Sequence, residues 1–278
     1  MSRPVAIYEK ALPGAAWPEL FRHAARCGYA AVELAVDESA ERIARLAWTR
    51  EQRADVARAA ADAGVSIATV TLSAHRAAPL GSADPATRAR SRAMLADAVA
   101  LAVDLGASAV QVAGYFTYYE PDHDGARNWF LDGLAEGCGL AEREGIVLAL
   151  ENVDGTDVTG VDDGLSILAD VGSRALRLYL DVGNLAGNRR DVVADLSAGL
   201  PHAHAVQLKE ARPGEFRRVA FGAGTVPWPD VVRLLAATRY DGLLGVEMWN
   251  DDGDPELPRA ALAWFRELEA EVQRLPSR

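Results

Sequence analysis

The sequence predicts a closed α/β barrel of the (β/α)8 type, the TIM barrel, in which residues 1–278 form a single domain. Short apolar segments alternate with amphipathic helical segments eight times along the chain. Glycines that can end a helix precede seven of the apolar segments, at separations of 36, 42, 39, 27, 27 and 43 residues. Polar residues follow many different apolar segments, whereas an open sheet would concentrate them at one switch point.

The apolar segments are typical of strands that are buried on both faces of a parallel sheet. In order they are Val5 to Tyr8, YAAVELAV after Gly28, VSIATVTL after Gly64, ASAVQVAG after Gly106, IVLALENV after Gly145, SRALRLYLDVG after Gly172, LPHAHAVQL after Gly199 and LLGVEMW after Gly242. An open doubly wound sheet is the competing arrangement. It is disfavoured because no Gly-x-Gly-x-x-Gly motif follows the first strand.

Helical periodicity fills the intervals between the predicted strands. The predicted helices run from Trp17 to Cys27, Thr49 to Ala63, Pro85 to Asp104, Ala126 to Glu144, Leu165 to Val171, Val192 to Ala198, Trp228 to Ala237 and Pro258 to Arg274. Each one lies between two apolar segments or after the last. This order is that of a barrel wound from successive strand and helix units.

Composition limits the partners of the protein. The formal charge is 29 − 40 = −11, so no basic excess exists to neutralise nucleic-acid phosphates, and a small ligand is favoured. No apolar run approaches the roughly 20 residues that a membrane helix needs. The two cysteines, Cys27 and Cys138, fall in helical segments, and the chain begins without a signal-like segment, so we expect a reduced, cytoplasmic protein.

Three of the predicted strands carry an acid at or near their C-terminal ends. Glu151 follows Val147 to Leu150, Asp181 follows Leu178 to Leu180, and Glu247 follows Leu243 to Val246. In a barrel all strand C-termini meet on one face, so these carboxylates would share a rim and repel each other unless a cation lies among them. Oxygen ligands favour Mg²⁺ or Mn²⁺ over zinc. The sequence therefore predicts a divalent-metal site.

Eight groups of short segments carry a resemblance to known proteins: IYEKALP, VELAVDES with ERIARLAW, LSAHR with PLGS, QVAGY with YYE, LALEN, YLDVGN, LKE with FRRVAFGAGTV, and VEMW. With these segments the sequence resembles the sugar isomerase and epimerase barrels of the xylose isomerase-like superfamily, and within it the L-ribulose-5-phosphate 3-epimerase (L-xylulose-5-phosphate 3-epimerase) family. These segments run in order from Ile7 to Trp249 and cover nearly the whole chain. The resemblance implies metal-dependent epimerisation of a ketose phosphate, of the L-xylulose 5-phosphate and L-ribulose 5-phosphate type, at the carbon next to its carbonyl.

The resemblance also implies a set of metal ligands. A Glu, an Asp, a His and a Glu hold the metal in these families, and the corresponding positions here are Glu151, Asp181, Gln207 and Glu247. Family members usually read His-Leu-Lys-Asp where this chain reads Gln207-Leu208-Lys209-Glu210. A glutamine carbonyl oxygen suits a hard cation, so Gln207 strengthens the expectation of Mg²⁺ or Mn²⁺. His204 lies three positions earlier, an odd offset that points to the other face of a strand.

Epimerisation requires the removal of a proton from one face of a carbon and its return to the other, through an enediolate. The resemblance assigns the roles of base and acid to Glu151 and Glu247, and the direction of reaction decides which begins. Residues near the predicted strand ends are candidates for contact with substrate. They are Lys10, His75, Arg76 and Arg217 for a phosphate or terminal hydroxyls, with Asp157 and Asn184 near the sugar.

Other activities remain open at this stage. Related chemistry includes that of an unphosphorylated ketose 3-epimerase, a hydroxypyruvate isomerase-like enzyme or an inosose dehydratase-like enzyme. A non-catalytic sugar-binding barrel is the alternative outside enzymes, and Gln207 is its support. Related barrels often pair, so a homodimer is a further expectation.

Overall fold

Eight parallel strands close into a barrel in the order of the chain, which confirms the predicted fold. The computed structural model describes residues 3–14 and 16–274. The strands are β1 Val5–Tyr8, β2 Ala31–Val36, β3 Ser66–Leu72, β4 Ala109–Ala113, β5 Val147–Glu151, β6 Leu176–Asp181, β7 Ala203–Leu208 and β8 Leu243–Val246. β8 pairs with β1, so no sheet edge remains open.

Helices cover the outside of the barrel. They are α1 Trp17–Cys27, α2 Ala40–Ile43, α3 Arg50–Asp62, α4 Pro85–Leu105, α5 Ala126–Glu144, α6 Val161–Val171, α7 Val182–Gly187, α8 Val192–Gly199, α9 Trp228–Ala237 and α10 Leu257–Arg274. All eight predicted helices are present, although α6 begins at Val161 instead of Leu165. The short helices α2 and α7 were not predicted, because each has fewer than two turns and leaves no periodic pattern to detect.

Five of the seven glycines that precede the predicted strands have the left-handed backbone conformation of a helix end, whereas Gly199 and Gly242 do not. Gly106 and Gly145 follow α4 and α5 in the left-handed region, with φ angles of 70° and 69°. A residue with a side chain is strained in this region, so glycine allows the chain to leave the helix and enter the next strand. This local rule explains why the spacing of glycines located the strands.

Side chains that point into the barrel form layers. A lower layer places Tyr179 among Ala109, Ala149 and Ala205, whose small side chains leave room for the ring. The Tyr179 hydroxyl donates to Oε1 of Glu33, which is fully buried. Burial raises the pKa of Glu33 to about 7, against the lowering effect of its hydrogen bonds from Tyr179 and Thr69. The polar residues of the active-site mouth lie above this layer, at the C-terminal ends of the strands.

A buried ion pair joins the loops that follow β1 and β2. Arg45 Nη2 lies 2.8 Å from Glu9 Oε1, and Arg45 Nη1 also donates to the carbonyl oxygen of Ala35 at 2.8 Å. The Arg45 guanidinium lies 4.8 Å from the ring centroid of Trp17. Both side chains of the pair are only 4% exposed. The pair thus fixes one side of the barrel mouth.

Replacement of Arg45 by Met is expected to lower the free energy of unfolding by about 3 kcal/mol, because it leaves the buried Glu9 carboxylate with only the more distant Arg42, at 3.5 Å, as a cationic neighbour. Urea denaturation of the purified variant measures the loss. Arg58→Met is the matched control, since the ion pair of Arg58 with Asp55 is largely exposed and should contribute little. Equal losses in the two variants would contradict the assigned role of Arg45.

Within the described residues, no helix has the length and apolarity needed to cross a membrane.

Candidate active site

Three carboxylates meet at the C-terminal end of the barrel. Glu151 ends β5, Asp181 ends β6, and Glu247 follows β8 directly. One oxygen atom from each carboxylate can be chosen so that all three lie within 4.8 Å of one another. We call these residues the carboxylate triad. Each acid stands at or just after the end of its strand, where the chain leaves the barrel.

Two asparagines hold Asp181 in place. The Asn152 side chain bridges the ends of β5 and β6, since its Oδ1 accepts from Asp181 N at 2.8 Å and its Nδ2 donates to Asp181 O at 2.9 Å. Asp181 caps α7, and its Oδ1 accepts from Asn184 N at 2.9 Å. The Asn184 side chain donates to Asn152 O at 2.8 Å and approaches Glu151 Oε1 at 3.4 Å. The short helix α7 is therefore part of the scaffold of the triad.

Lys209 provides a positive charge beside the triad. Its Nζ lies 2.6 Å from Asp181 Oδ2 and 3.0 Å from Glu247 Oε2. It also donates to Asn184 Oδ1 at 2.7 Å. Lys209 is not among the site residues predicted from the sequence, although the sequence carries a signal for it. Lys209 lies two positions after Gln207, and the two-residue period of a strand places both side chains on the same face.

Burial controls the electrostatics of the triad. It raises the pKa of Glu151 well above the usual range of a carboxyl group, Glu247 and Asp181 raise it further, and Lys209 opposes the shift. Burial raises the pKa of Asp181 to about 7, even though Lys209 acts in the opposite direction. For Lys209, burial alone would lower the pKa, but Asp181 and Glu247 outweigh it and raise the pKa. The site therefore favours the presence of added positive charge.

Gln207 lies inside the barrel between two members of the triad. It pairs in register with Asp181 on one side and with Gly245, two residues before Glu247, on the other. The side chain is buried, and its Oε1 lies 3.4 Å from Gln111 Nε2. Gln111 Oε1 is itself buried without a hydrogen-bond partner among the described residues. The two amides thus form a small polar floor beneath the triad.

A cavity of about 90 Å³ opens above the triad. Glu151, Glu247, Lys209, Asn184 and the predicted substrate contacts Lys10, Arg76 and Arg217 all line it. Each of the three mouth cations has an acidic neighbour. Lys10 pairs with Asp37, Arg76 Nε lies 3.6 Å from Glu38 Oε2, and Arg217 Nη1 lies 3.3 Å from Asp154 Oδ2. We call Lys10, Arg76 and Arg217, which line the cavity together, the cation ring.

The structure does not bring two other predicted residues to this cavity. His75 is buried, and its Nε2 lies 3.1 Å from the carbonyl oxygen of Ser91 in α4. Burial lowers the pKa of His75 to about 4, which keeps the ring neutral. Residues Ser73–Arg76 form a 3₁₀ turn, in which neighbouring side chains point about 120° apart, so Arg76 faces the cavity while His75 turns away. Asp157 instead accepts from Phe116 N at 2.8 Å and holds the loop after β4.

His204 lies at the opposite end of the barrel from the triad. This agrees with its odd offset from Gln207, which predicted a position away from the metal ligands. His204 Nε2 is 3.1 Å from the hydroxyl of Ser108, the residue before β4. It therefore cannot replace Gln207 beside the triad.

A larger cleft of about 590 Å³ adjoins the cavity between the loops that follow β7 and β8. Phe221, Met248 and Trp264 contribute its apolar lining, and Lys209, Glu247 and Trp249 line both spaces. The arrangement of a small polar cavity that opens beside a wider cleft is suited to the binding of a small polar molecule.

Comparison with known proteins decides the family. The sequence profile of the xylose isomerase-like TIM barrel matches residues 21–268. The chain is 39% identical to the L-ribulose-5-phosphate 3-epimerase UlaE of Salmonella typhi over 265 residues, which are 95% of this chain and 93% of that protein. The chain belongs to the xylose isomerase-like TIM barrel family. This confirms the resemblance found in the sequence, and it makes the protein an enzyme of the sugar isomerase and epimerase class.

Solved structures share the fold of this family member. A structure of L-ribulose 3-epimerase superposes with a TM-score of 0.80 at 18% identity, and the match covers 98% of this chain and 96% of that one. A xylose isomerase-like TIM barrel protein from Mycobacterium smegmatis, in complex with magnesium, superposes with a TM-score of 0.72 at 17% identity and 98% coverage of both chains. At such identities the likeness concerns the fold.

The residues of this xylose isomerase-like barrel fit a divalent cation. The triad offers three carboxylates with converging oxygens. Asp181 Oδ2 and Glu247 Oε2 are buried and accept no hydrogen bond from the described residues beyond their ion pair with Lys209. Buried carboxylate oxygens without donors are costly unless a cation compensates them. Hard oxygen donors of this kind are suited to Mg²⁺ or Mn²⁺.

Proposed function

We propose that the protein is a divalent-metal-dependent ketose-phosphate 3-epimerase that acts on substrates of the L-xylulose 5-phosphate and L-ribulose 5-phosphate type. The observation that carries the proposal is the convergence of Glu151, Asp181 and Glu247, at the ends of β5, β6 and β8, beside one small cavity that Glu151 and Glu247 line. The relatives named L-ribulose-5-phosphate 3-epimerase support the type of reaction.

The metal ligands in this proposal are Glu151, Asp181 and Glu247, with the carbonyl oxygen of Gln207 as the fourth. When bound, a divalent cation would supply Lewis-acid stabilisation of the negative charge on an enediolate. Gln207 already faces Gln111, so its amide orientation depends on that neighbour. The preference for Mn²⁺ or Mg²⁺ follows from a ligand set made entirely of oxygen.

Glu151 and Glu247 exchange the proton in this mechanism. They approach the cavity from two different sides of the barrel, so a sugar carbon between them presents one face to each carboxylate. One carboxylate removes the proton and the other returns a proton to the opposite face, which inverts the carbon. Reversal of the reaction reverses the roles.

The cation ring supports a phosphorylated substrate. Lys10, Arg76 and Arg217 line the cavity together, and Arg76 and Arg217 can offer planar, paired donors to a phosphate. Asp37, Glu38 and Asp154 form ion pairs with these cations. A phosphate would compete with these carboxylates for the three cations. Asn184 lies deeper, beside Glu151, at the position of the sugar.

Proton–deuterium exchange followed by NMR tests the proposal. The purified protein with Mn²⁺ is incubated in D₂O with a panel of ketoses and their phosphates. We expect exchange and inversion at the carbon next to the carbonyl, fastest with a pentulose 5-phosphate. Absence of exchange in every ketose and ketose phosphate would refute the proposed activity, and equal rates with and without phosphate would refute the role of the cation ring.

A further inference from the structure

Lys209 occupies an unusual place for a lysine. Its side chain is only 6% exposed, and its ammonium group has three oxygen neighbours within 3.0 Å, one each from Asp181, Asn184 and Glu247. Asn184 in turn contacts Glu151. The ammonium group therefore contacts two carboxylates of the triad directly, Asp181 and Glu247, and is linked to Glu151 through Asn184.

The oxygen atoms that bind Lys209 are otherwise unpartnered. Among the described residues, no hydrogen-bond donor reaches Asp181 Oδ2 or Glu247 Oε2 apart from this ion pair. Asp181 Oδ1 already accepts from Asn184 N, so Oδ2 is the oxygen atom that Asp181 has left to offer a metal ion. Two cations cannot share it at hydrogen-bond distance, because like charges a few ångströms apart in a buried site repel strongly.

The cleft beside the cavity offers space for a displaced Lys209 ammonium group. Lys209 lines both the cavity above the triad and the larger cleft beside it. Its Nζ lies 6.0 Å from the ring centroid of Trp249, which lines both spaces as well. A flexible four-carbon side chain can move toward this ring without a change in the backbone.

We propose that Lys209 is a built-in counter-cation of the triad: it neutralises Asp181 and Glu247 in the metal-free protein and competes with the divalent cation for their oxygen atoms. Lys209 thereby sets the metal affinity and lets the barrel fold before metal arrives. This inference rests on the metal dependence proposed above, and it concerns a residue that takes no part in the proton transfer assigned to Glu151 and Glu247.

Lys209→Met tests the competition, because methionine keeps the length of the side chain and removes its charge. Mn²⁺ binding without substrate is measured by isothermal titration calorimetry, and thermal unfolding is followed with and without Mn²⁺. We expect the variant to bind Mn²⁺ at least about tenfold more tightly, since a repelling charge has been removed. We also expect a lower melting temperature without metal and a larger rise when Mn²⁺ is added.

Lys10→Met is the matched control. Lys10 lines the same cavity but pairs with Asp37, outside the triad. Its loss should change the Mn²⁺ affinity by less than about twofold, because its charge is already compensated and partly exposed. A similar increase of Mn²⁺ affinity in both variants would show a general effect of positive charge near the cavity, and it would overturn the specific role of Lys209.

Three further outcomes overturn the inference. The first is a folded Lys209→Met protein that binds Mn²⁺ equally or more weakly than the wild type. The second is a variant that fails to fold even when Mn²⁺ is present during refolding, because a divalent cation should replace the missing charge. A Lys209→Met variant that folds only when Mn²⁺ is present would, in contrast, support the inference. The third is an absence of Mn²⁺ binding in both proteins, and the deuterium-exchange assay then decides separately whether the epimerase activity survives.

Discussion

Glu151→Gln and Glu247→Gln are each expected to lower the rate of epimerisation by about a thousandfold or more, since each removes one of the two groups that transfer the proton. Glutamine keeps the shape and one ligand oxygen of the side chain but cannot accept a proton at neutral pH. Epimer interconversion, measured by NMR or by a coupled assay with each epimer as substrate, determines the loss. Circular dichroism confirms that the variants are folded.

Deuterium exchange gives the two variants different signatures. Each variant retains one carboxylate, so it should still exchange the proton of the epimer that faces this carboxylate and should not invert it. The other epimer should show neither exchange nor inversion. Glu136→Gln, the same change on the outer surface of α5, serves as the control and should behave as the wild type. Full inversion by either triad variant would rule out the two-base mechanism.

Removal of the metal is expected to reduce turnover by about a thousandfold or more, because Lewis-acid stabilisation of the enediolate contributes several kcal/mol and each 1.36 kcal/mol is a factor of ten in rate. The protein is treated with a chelator, dialysed until elemental analysis finds no residual divalent metal, and assayed. Added Mn²⁺ or Mg²⁺ should restore the activity. The fold should persist throughout, since Lys209 neutralises Asp181 and Glu247 when no metal is present.

Two controls accompany the chelation experiment. Chelator that has been saturated with Mn²⁺ beforehand should leave the activity unchanged, which separates metal removal from direct inhibition. The far-ultraviolet circular dichroism spectrum of the metal-free protein should match that of the untreated protein. Full turnover by protein without measurable metal would exclude metal dependence, and Lys209 would then be the cation that remains at the triad.

In the proposed site, Gln207 and Lys209 both lower the affinity for a divalent metal ion. A glutamine carbonyl is a weaker ligand than an imidazole, and Lys209 competes for two of the carboxylates. Both features point to a metal ion that is held reversibly, in exchange with the surrounding solution. A folded barrel without metal and a metal-dependent activity are therefore compatible in this protein.

The order and position of the strands could be predicted because their determinants are local. An apolar run of five residues, a glycine in the left-handed conformation before it and a carboxylate after it are all properties of neighbouring residues. Gly145, β5 and Glu151 illustrate this, since each was identified from one continuous segment. The closed barrel follows from the repetition of such units, which also places Glu151, Asp181 and Glu247 on one face. The extent of the domain over residues 1–278 stays a prediction.

The contacts across the barrel could not be predicted from the sequence. The sequence alone determined the fold, the family and the acids at the strand ends, because continuous apolar runs, the glycines before them and the acids after them are properties of neighbouring residues. Only the three-dimensional structure decided that His75 turns toward α4, that Gln207 meets Gln111 and that Lys209 reaches Asp181 and Glu247. These contacts join residues from different strands and turns, and their distances depend on strand register, on the pitch of a 3₁₀ turn and on side-chain torsions.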